Sequence, residues 1–332
     1  MSSPAPAFPD ARTRKRAVVD GHHHLWAASG APTGHEGTAY GVAELLGDSG
    51  ERPLIESVFV ECGAMYRAER GPLRQVGETE YAASEGAGRG LCGAIVASAD
   101  LSDVAQLPAL LDAHALAARR RLRGIRHTGA WDASPEIPNG RVSPPEGLYR
   151  TPEFARGVAE LAARGLSFEA WSYQAQLGDI AVLTDRVPDA LIVVDHCGGP
   201  LGAGPYSRHE EAFQQWRAGI DDLARRPNVH MKLGGLGMRV GPLAGRARFD
   251  DPAELAEAIR PYIVTALEAF GADRAMFESN FPMDRGAYAY ETIWDAFEVI
   301  AQEATAAEQD LLFGDTATRV YRLGIDAELD ER

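Results

Sequence analysis

Val18-Val19-Asp20-Gly21-His22-His23-His24-Leu25-Trp26 begins as an apolar, β-branched run and ends in alternating polar groups. On an extended backbone, side chains two apart point the same way, so His22 and His24 converge while His23 faces elsewhere. Two imidazoles on one face suit a divalent metal. A second run, Leu191-Ile192-Val193-Val194-Asp195-His196-Cys197-Gly198-Gly199-Pro200, also ends in a polar group at a Gly-rich turn. If both are strands of one parallel barrel, His22, His24 and His196 gather at its carboxyl-terminal mouth.

Strand-like runs recur, each followed by a segment of helical character. Eight are predicted: Ala17 to Asp20, Ser57 to Glu61, Leu91 to Val96, Arg123 to His127, Leu166 to Trp171, Leu191 to Asp195, Val229 to Leu233 and Ala275 to Ser279. The clearest helices are Ala105 to Arg121, Thr151 to Ala163 and Pro252 to Ala269, with Thr151, Pro152 and Glu153 reading as a capped start. An open doubly wound sheet predicts the same alternation, but polar residues placed at strand ends favour a single (β/α)8 TIM barrel. Three Gly- and Pro-rich segments, Ala27 to Pro53, Gly129 to Arg150 and Gly234 to Asp251, each follow a strand and should roof the carboxyl-terminal face. The expected organisation is a flexible arm over 1–16, the barrel over 17–324 and a tail over 325–332.

The chain has 332 residues and a formal net charge of -15, which disfavours binding to nucleic acid or anionic lipid. The basic run from Arg12 to Arg16 reads as a solvated arm. No segment approaches the ~20 apolar residues that cross a bilayer, and no signal-like apolar stretch opens the chain. Cys62, Cys92 and Cys197 form no CxxC pair. A cytoplasmic enzyme with free thiols is therefore expected. No apolar stripe marks an oligomer interface, although a homo-oligomer is compatible with paired outer helices.

Arg126 and Lys232 sit in strands among apolar neighbours and should project into the barrel. Either can anchor a substrate carboxylate or neutralise Glu61 or Glu169; the substrate role is favoured for Arg126 and the structural role for Lys232. Glu169 and Trp171 share one face of the fifth strand and can line the pocket, or equally form a core aromatic and a buried ion pair. Asp195, adjacent to His196, should point away from the mouth. A Cys197–His196 pair is disfavoured on the same ground. Tyr66, on the loop after strand two, can donate to a substrate oxygen. His35, His127 and His230 receive no catalytic role.

Taken in order, DxHxHLW (Asp20, His22, His24), GIRH (Gly124 to His127), DHCGGP (Asp195 to Pro200), KLGGL (Lys232 to Leu236) and ESNFPMD (Glu278 to Asp284) resemble the strand ends of the amidohydrolase-related family. The likeness runs from Ala17 to Leu323 and is strongest to its lactonase-like branch, which includes hydrolases of sugar lactones and of pyrone dicarboxylate. The resemblance implies a carboxylate at the eighth strand end that activates water, histidines and in some members a metal that polarise the carbonyl, and a basic residue that holds a substrate carboxylate.

Related members carry Asp where this chain has Asn280, and an amide accepts no proton at neutral pH. Asp284 is the nearest acid and is expected to act as general base, swung back over the mouth by the bend at Phe281-Pro282. Asn280 remains as a substrate contact. The expected activity is hydrolysis of a small lactone bearing a carboxylate or several hydroxyls, with either one divalent ion (zinc or manganese) on His22, His24 and His196 or no metal. The alternatives are a metal-dependent nonoxidative decarboxylase of an aromatic or enoic acid, and an inactive barrel kept for binding.

Overall fold

The structure is a computed structural model and describes residues 15–69 and 71–324. Eight parallel strands are hydrogen-bonded in chain order: β1 (Val18–His23), β2 (Leu54–Val60), β3 (Ala94–Ser98), β4 (Leu122–Arg126), β5 (Ser167–Ala170), β6 (Ile192–Val194), β7 (Val229–Leu233) and β8 (Ala275–Phe277). Helices pack outside: α1 (Val42–Ser49), α2 (Val76–Glu85), α3 (Leu107–Ala117), α4 (Pro152–Ala163), α5 (Leu177–Arg186), α6 (His209–Leu223), α7 (Pro252–Phe270) and α8 (Tyr290–Ala301), followed by the shorter α9 (Ala306–Asp310) and α10 (Thr316–Tyr321). This is the predicted (β/α)8 barrel. Thr151 caps α4, accepting from the Phe154 amide at 3.3 Å, and Pro152 occupies the first turn, where no N–H is needed.

The core divides by the two faces of the sheet. Phe59, Ile125, Phe168 and Phe277 pack between sheet and helices, whereas Val19, Val58, Val60, Ala94, Val96 and Met276 form a separate cluster with Ala317 and Tyr321 of α10. Alternation along each strand thus separates an outer hydrophobic shell from a barrel interior closed at its base by α10.

Closure between β8 and β1 falls where the chemistry lies. No regular ladder joins them; the chain beyond β8 pairs with the end of β1, Asn280 N donating to His22 O (3.0 Å) and His24 N to Phe281 O (2.8 Å). Gly21 permits this approach, since a Cβ there would lie 2.8 Å from Phe277 O. Asp20 locks the seam: its Oδ1 accepts from Ser279 N (3.0 Å) and His22 N (3.1 Å), and its Oδ2 from Ser279 Oγ (2.6 Å) and Tyr290 OH (3.0 Å).

Some expectations are corrected. β1 continues to His23 and β8 stops at Phe277, because Asn280 takes a left-handed φ of 54°. α3 is shorter than the predicted Ala105 to Arg121, and β3 lies later than Leu91 to Val96. At the end of the expected arm, Lys15 pairs with Asp295 (2.5 Å) and Arg16 with Asp310 (2.7 Å), so these two are docked rather than freely solvated. The rest of the arm and the tail lie outside the described residues. No helix among the described residues is long and apolar enough to cross a membrane.

Candidate active site

The mouth is reached from β1, β4, β6 and the segment after β8. His22, His24, His196 and Asn280 are all buried and mutually adjacent: His22 Nε2 and His24 Nε2 lie 3.3 Å apart, His24 Nε2 lies 3.3 Å from Asn280 Oδ1, and the His22 and His196 ring centroids are 4.6 Å apart. A register irregularity in β1 between Asp20 and His23 separates Asp20, held in the seam, from His22, turned toward Lys232 inside the barrel.

The neighbours of each ring indicate which nitrogens carry protons. His24 Nδ1 faces the Val60 carbonyl at 2.7 Å and must donate, leaving Nε2 with a free electron pair. His22 Nδ1 faces Glu278 Oε2 at 2.9 Å and Asp195 Oδ1 at 3.5 Å, with Lys232 Nζ at 3.4 Å; the nearer carboxylate favours a proton on Nδ1, the tautomer that leaves Nε2 bare. Asn280 donates Nδ2–H to Asp284 Oδ1 at 3.0 Å, which turns its Oδ1 toward His24. Two imidazole nitrogens and one amide oxygen therefore converge with no proton among them. That arrangement suits a cation, and the 3.3 Å nitrogen spacing is roughly that of two ligands ~2.0–2.1 Å from one tetrahedral zinc. The residues present thus fit a divalent ion. One cation is already near: Arg126 Nη1 stands 3.3 Å from His22 Nε2.

His196 is arranged differently. Its Nδ1 lies 2.7 Å from Glu278 Oε1, which also accepts its backbone N–H at 3.0 Å, while the ring packs edge-on against Trp171, with centroids 4.8 Å apart. A Cβ on Gly235, at φ 64°, would lie 2.3 Å from His196 Nδ1, so only glycine lets the β7 loop cover this contact. Burial raises the Glu278 pKa, but the His196 and His22 rings prevail and hold it down to about 2. Burial lowers the His196 pKa, yet Glu278 outweighs it and the net shift is upward. His22, His196 and Glu278 can also be grouped as metal donors within 4.8 Å of one another. Because Glu278 sits against both Nδ1 atoms, sharing protons with them accounts for the contacts without an ion.

A cavity of about 330 Å³ opens over this cluster, lined by His24, His196, Trp171, Asn280, Arg126 and Arg141, with Glu61, His35 and Arg239 at its walls. Glu61 accepts from Arg126 Nε (2.9 Å) and Arg141 Nη2 (2.6 Å); burial raises its pKa, but the two guanidinium groups hold it below the usual range. Tyr66 lines an adjoining chamber.

Three expectations change here, and one holds. Glu169 is not at the pocket: it lies fully buried in the barrel interior, 2.6 Å from Lys232 Nζ, and accepts from Tyr321 OH at 2.7 Å. Lys232 takes the structural role. Asp195 points inward, 3.4 Å from Lys232 Nζ and 3.4 Å from Arg126 Nη1, because β6 ends at Val194 and His196 has φ 57°, so strand alternation no longer applies. Asp284 comes beside the cluster but faces protein, with Asn280 Nδ2 on Oδ1 and both Gly237 N (3.1 Å) and the Tyr288 hydroxyl on Oδ2. With both oxygens engaged, burial still pushes its pKa up to about 6.

Glu278, Arg141 and Arg239 are not singled out by the sequence, and His35, given no catalytic role there, stands at the cavity wall. Alternation from Met276 places Glu278 on the interior face and could have found it; nothing in the long loops marks Arg141 or Arg239.

The amidohydrolase family profile matches residues 19–323. The chain belongs to the amidohydrolase family. This amidohydrolase is 33% identical to protein y4mH of Sinorhizobium fredii over 325 residues, spanning 92% of this chain and 99% of that protein. It is 29% identical to L-fucono-1,5-lactonase of Burkholderia multivorans over 308 residues, 92% of this chain and 96% of that enzyme. A crystal structure of a Burkholderia multivorans amidohydrolase with bound zinc superposes with a TM-score of 0.71 at 28% identity, covering 93% of this chain and all of that one. The amidohydrolase described here is thus a lactonase-like hydrolase.

Proposed function

We propose that this amidohydrolase opens a small lactone carrying a carboxylate or several hydroxyls, with His196 moving the proton. The observation that supports this is the Glu278–His196 pair: a buried carboxylate holds Nδ1–H and leaves Nε2 directed at the cavity. In the forward step, Nε2 takes a proton from water as the oxygen attacks the ring carbonyl carbon; the same proton then goes to the ring oxygen as the C–O bond breaks, giving a hydroxy acid. Glu278 stabilises the imidazolium formed between the two steps. Arg126 holds a substrate carboxylate, and Trp171 supplies a flat wall against the ring. A divalent ion on His22, His24 and Asn280 would polarise the carbonyl. The assignment is tested by proton release from a panel of aldonolactones and carboxylated lactones, with CO₂ detection on hydroxybenzoates in parallel. Lactone opening at kcat/KM above ~10⁴ M⁻¹s⁻¹ supports the reading. CO₂ release without any lactone opening overturns it in favour of the decarboxylase.

Asp284 is assigned a positioning role, holding the Asn280 amide so that Oδ1 faces His24. Two variants should move zinc affinity in opposite directions. Asn280→Asp adds a hard anionic ligand and is expected to tighten binding by about 10-fold or more. Asp284→Asn sets an amide N–H against Asn280 or leaves it free to turn, and should weaken binding by ~10–100-fold. Both are read by competition against a chromophoric chelator. Unchanged affinity in the two variants rules out this cup as the ion's site.

A further inference from the structure

Beside the Glu61–Arg141 ion pair, the reaction cavity adjoins a second chamber of about 540 Å³, and both have Glu61, Arg126, Thr128 and Arg141 in their walls. The second chamber is two-sided. On one side two guanidinium groups approach the Tyr66 ring, Arg74 Cζ at 5.1 Å and Arg141 Cζ at 6.0 Å from its centroid. The Tyr66 hydroxyl meets Arg141 Nη1 and Ser98 Oγ, each at 3.4 Å. On the other side Val142, Pro144 and Leu148 make an apolar wall.

The cationic side is built rather than incidental. Arg141 reaches Glu61 by lying over Gly63, whose φ is 78° and where a Cβ would come within 2.5 Å of the Arg141 Cζ. Among the described residues no carboxylate forms an ion pair with Arg74. Of the three arginines in the chamber walls, Arg126 is paired with Glu61 and Asp195 and Arg141 with Glu61, so among the described residues Arg74 is the one left to meet a ligand. Burial dominates the downward shift of the His127 pKa, so this ring adds no charge near neutral pH.

We propose that this chamber binds a carboxylate-ended side arm of the lactone, with the apolar wall against the arm and Arg74 and Arg141 holding its end across the face of Tyr66. This rests on the lactone reading for what fills the inner cavity, but the binding itself is separable from turnover. The test is calorimetric titration of the full chain with adipate, and with hexanoate as a singly charged control of the same length. Adipate should bind ~10-fold or more tightly than hexanoate. Arg74→Gln should bring adipate to within ~3-fold of hexanoate, and Arg74→Lys should keep part of the preference, as a point charge without the fork. Arg74 is exposed, so these variants are expected to fold. Equal binding of the two acids by the unaltered chain, or an undiminished preference in Arg74→Gln, overturns the proposal. If adipate binds through Arg74 yet no lactone is opened, the lactone reading fails and the chamber stands. Lactone opening with no role for Arg74 gives the reverse.

Discussion

Lys232→Met is expected to cost about 3–5 kcal/mol of folding stability, a large share of the ~5–15 kcal/mol typical of a native domain. Lys232 is completely buried, with Nζ 2.6 Å from Glu169 Oε2, 3.4 Å from Asp195 Oδ1 and 5.4 Å from the Tyr321 ring centroid. Burial opposes its charge, but Glu169 and Asp195 outweigh it and raise its pKa. Methionine keeps most of the volume and removes the charge, which strands Glu169 beneath the active site. The measurement is urea unfolding of the variant and of Lys232→Met/Glu169→Gln. If stranded charge is the cause, the double variant recovers much of the loss; if packing is the cause, it does not.

The pH dependence follows from Glu169, whose pKa burial pushes up to about 7 even with the ammonium beside it. Its folded value lies above the unfolded one, so protonation favours the folded state, and stability falls as pH rises through that range. Removing Lys232 raises the folded value further. The Lys232→Met defect should therefore be smaller at pH 6 than at pH 8. A defect that does not change over this range would show that Glu169 is not the stranded charge.

The parts of this site that alternation governs could be read directly from the sequence. His22 and His24 share a face, Arg126 and Lys232 project inward, and the strand ends give the barrel and its mouth. What escaped lies where a strand stops. Asp195 was assigned outward because its neighbour His196 was assigned inward, but β6 ends at Val194, and the left-handed turn through His196 and Cys197 lets both polar side chains reach the interior. Asp284 is the next acid after Asn280 when distance is counted along the chain. The backbone turn at Asn280 instead brings it behind the amide, with Tyr288 and Gly237 on its other oxygen. Arg141 and Arg239 stand on long loops, where no period exists to place a side chain. Asp20 shows the limit of motif reading: it belongs to the same DxHxH pattern as the histidines, yet serves as the clasp between β1 and the chain after β8.

Glu278→Gln is expected to lower kcat by ~10²–10⁴ with little change in KM. Glu278 Oε1 accepts both the N–H and the Nδ1–H of His196, and its Oε2 lies 2.9 Å from His22 Nδ1. A carboxylate can accept from both rings at once; an amide cannot, because one of its two ends is a donor. Whichever way the glutamine turns, an N–H opposes an imidazole N–H. If the amide end faces His196, that ring must shift its proton to Nε2, and it can no longer take one from water. If it faces His22, the shift removes the electron pair that His22 directs at His24 and Asn280. The two cases differ in a second measurement: only the latter weakens zinc binding, while the former lowers turnover at unchanged zinc affinity. Because the residue is buried and the substitution nearly isosteric, unfolding by urea should confirm that the variant remains folded. Turnover within ~5-fold of the unaltered enzyme, in a folded variant, would remove His196 from its role as the proton carrier.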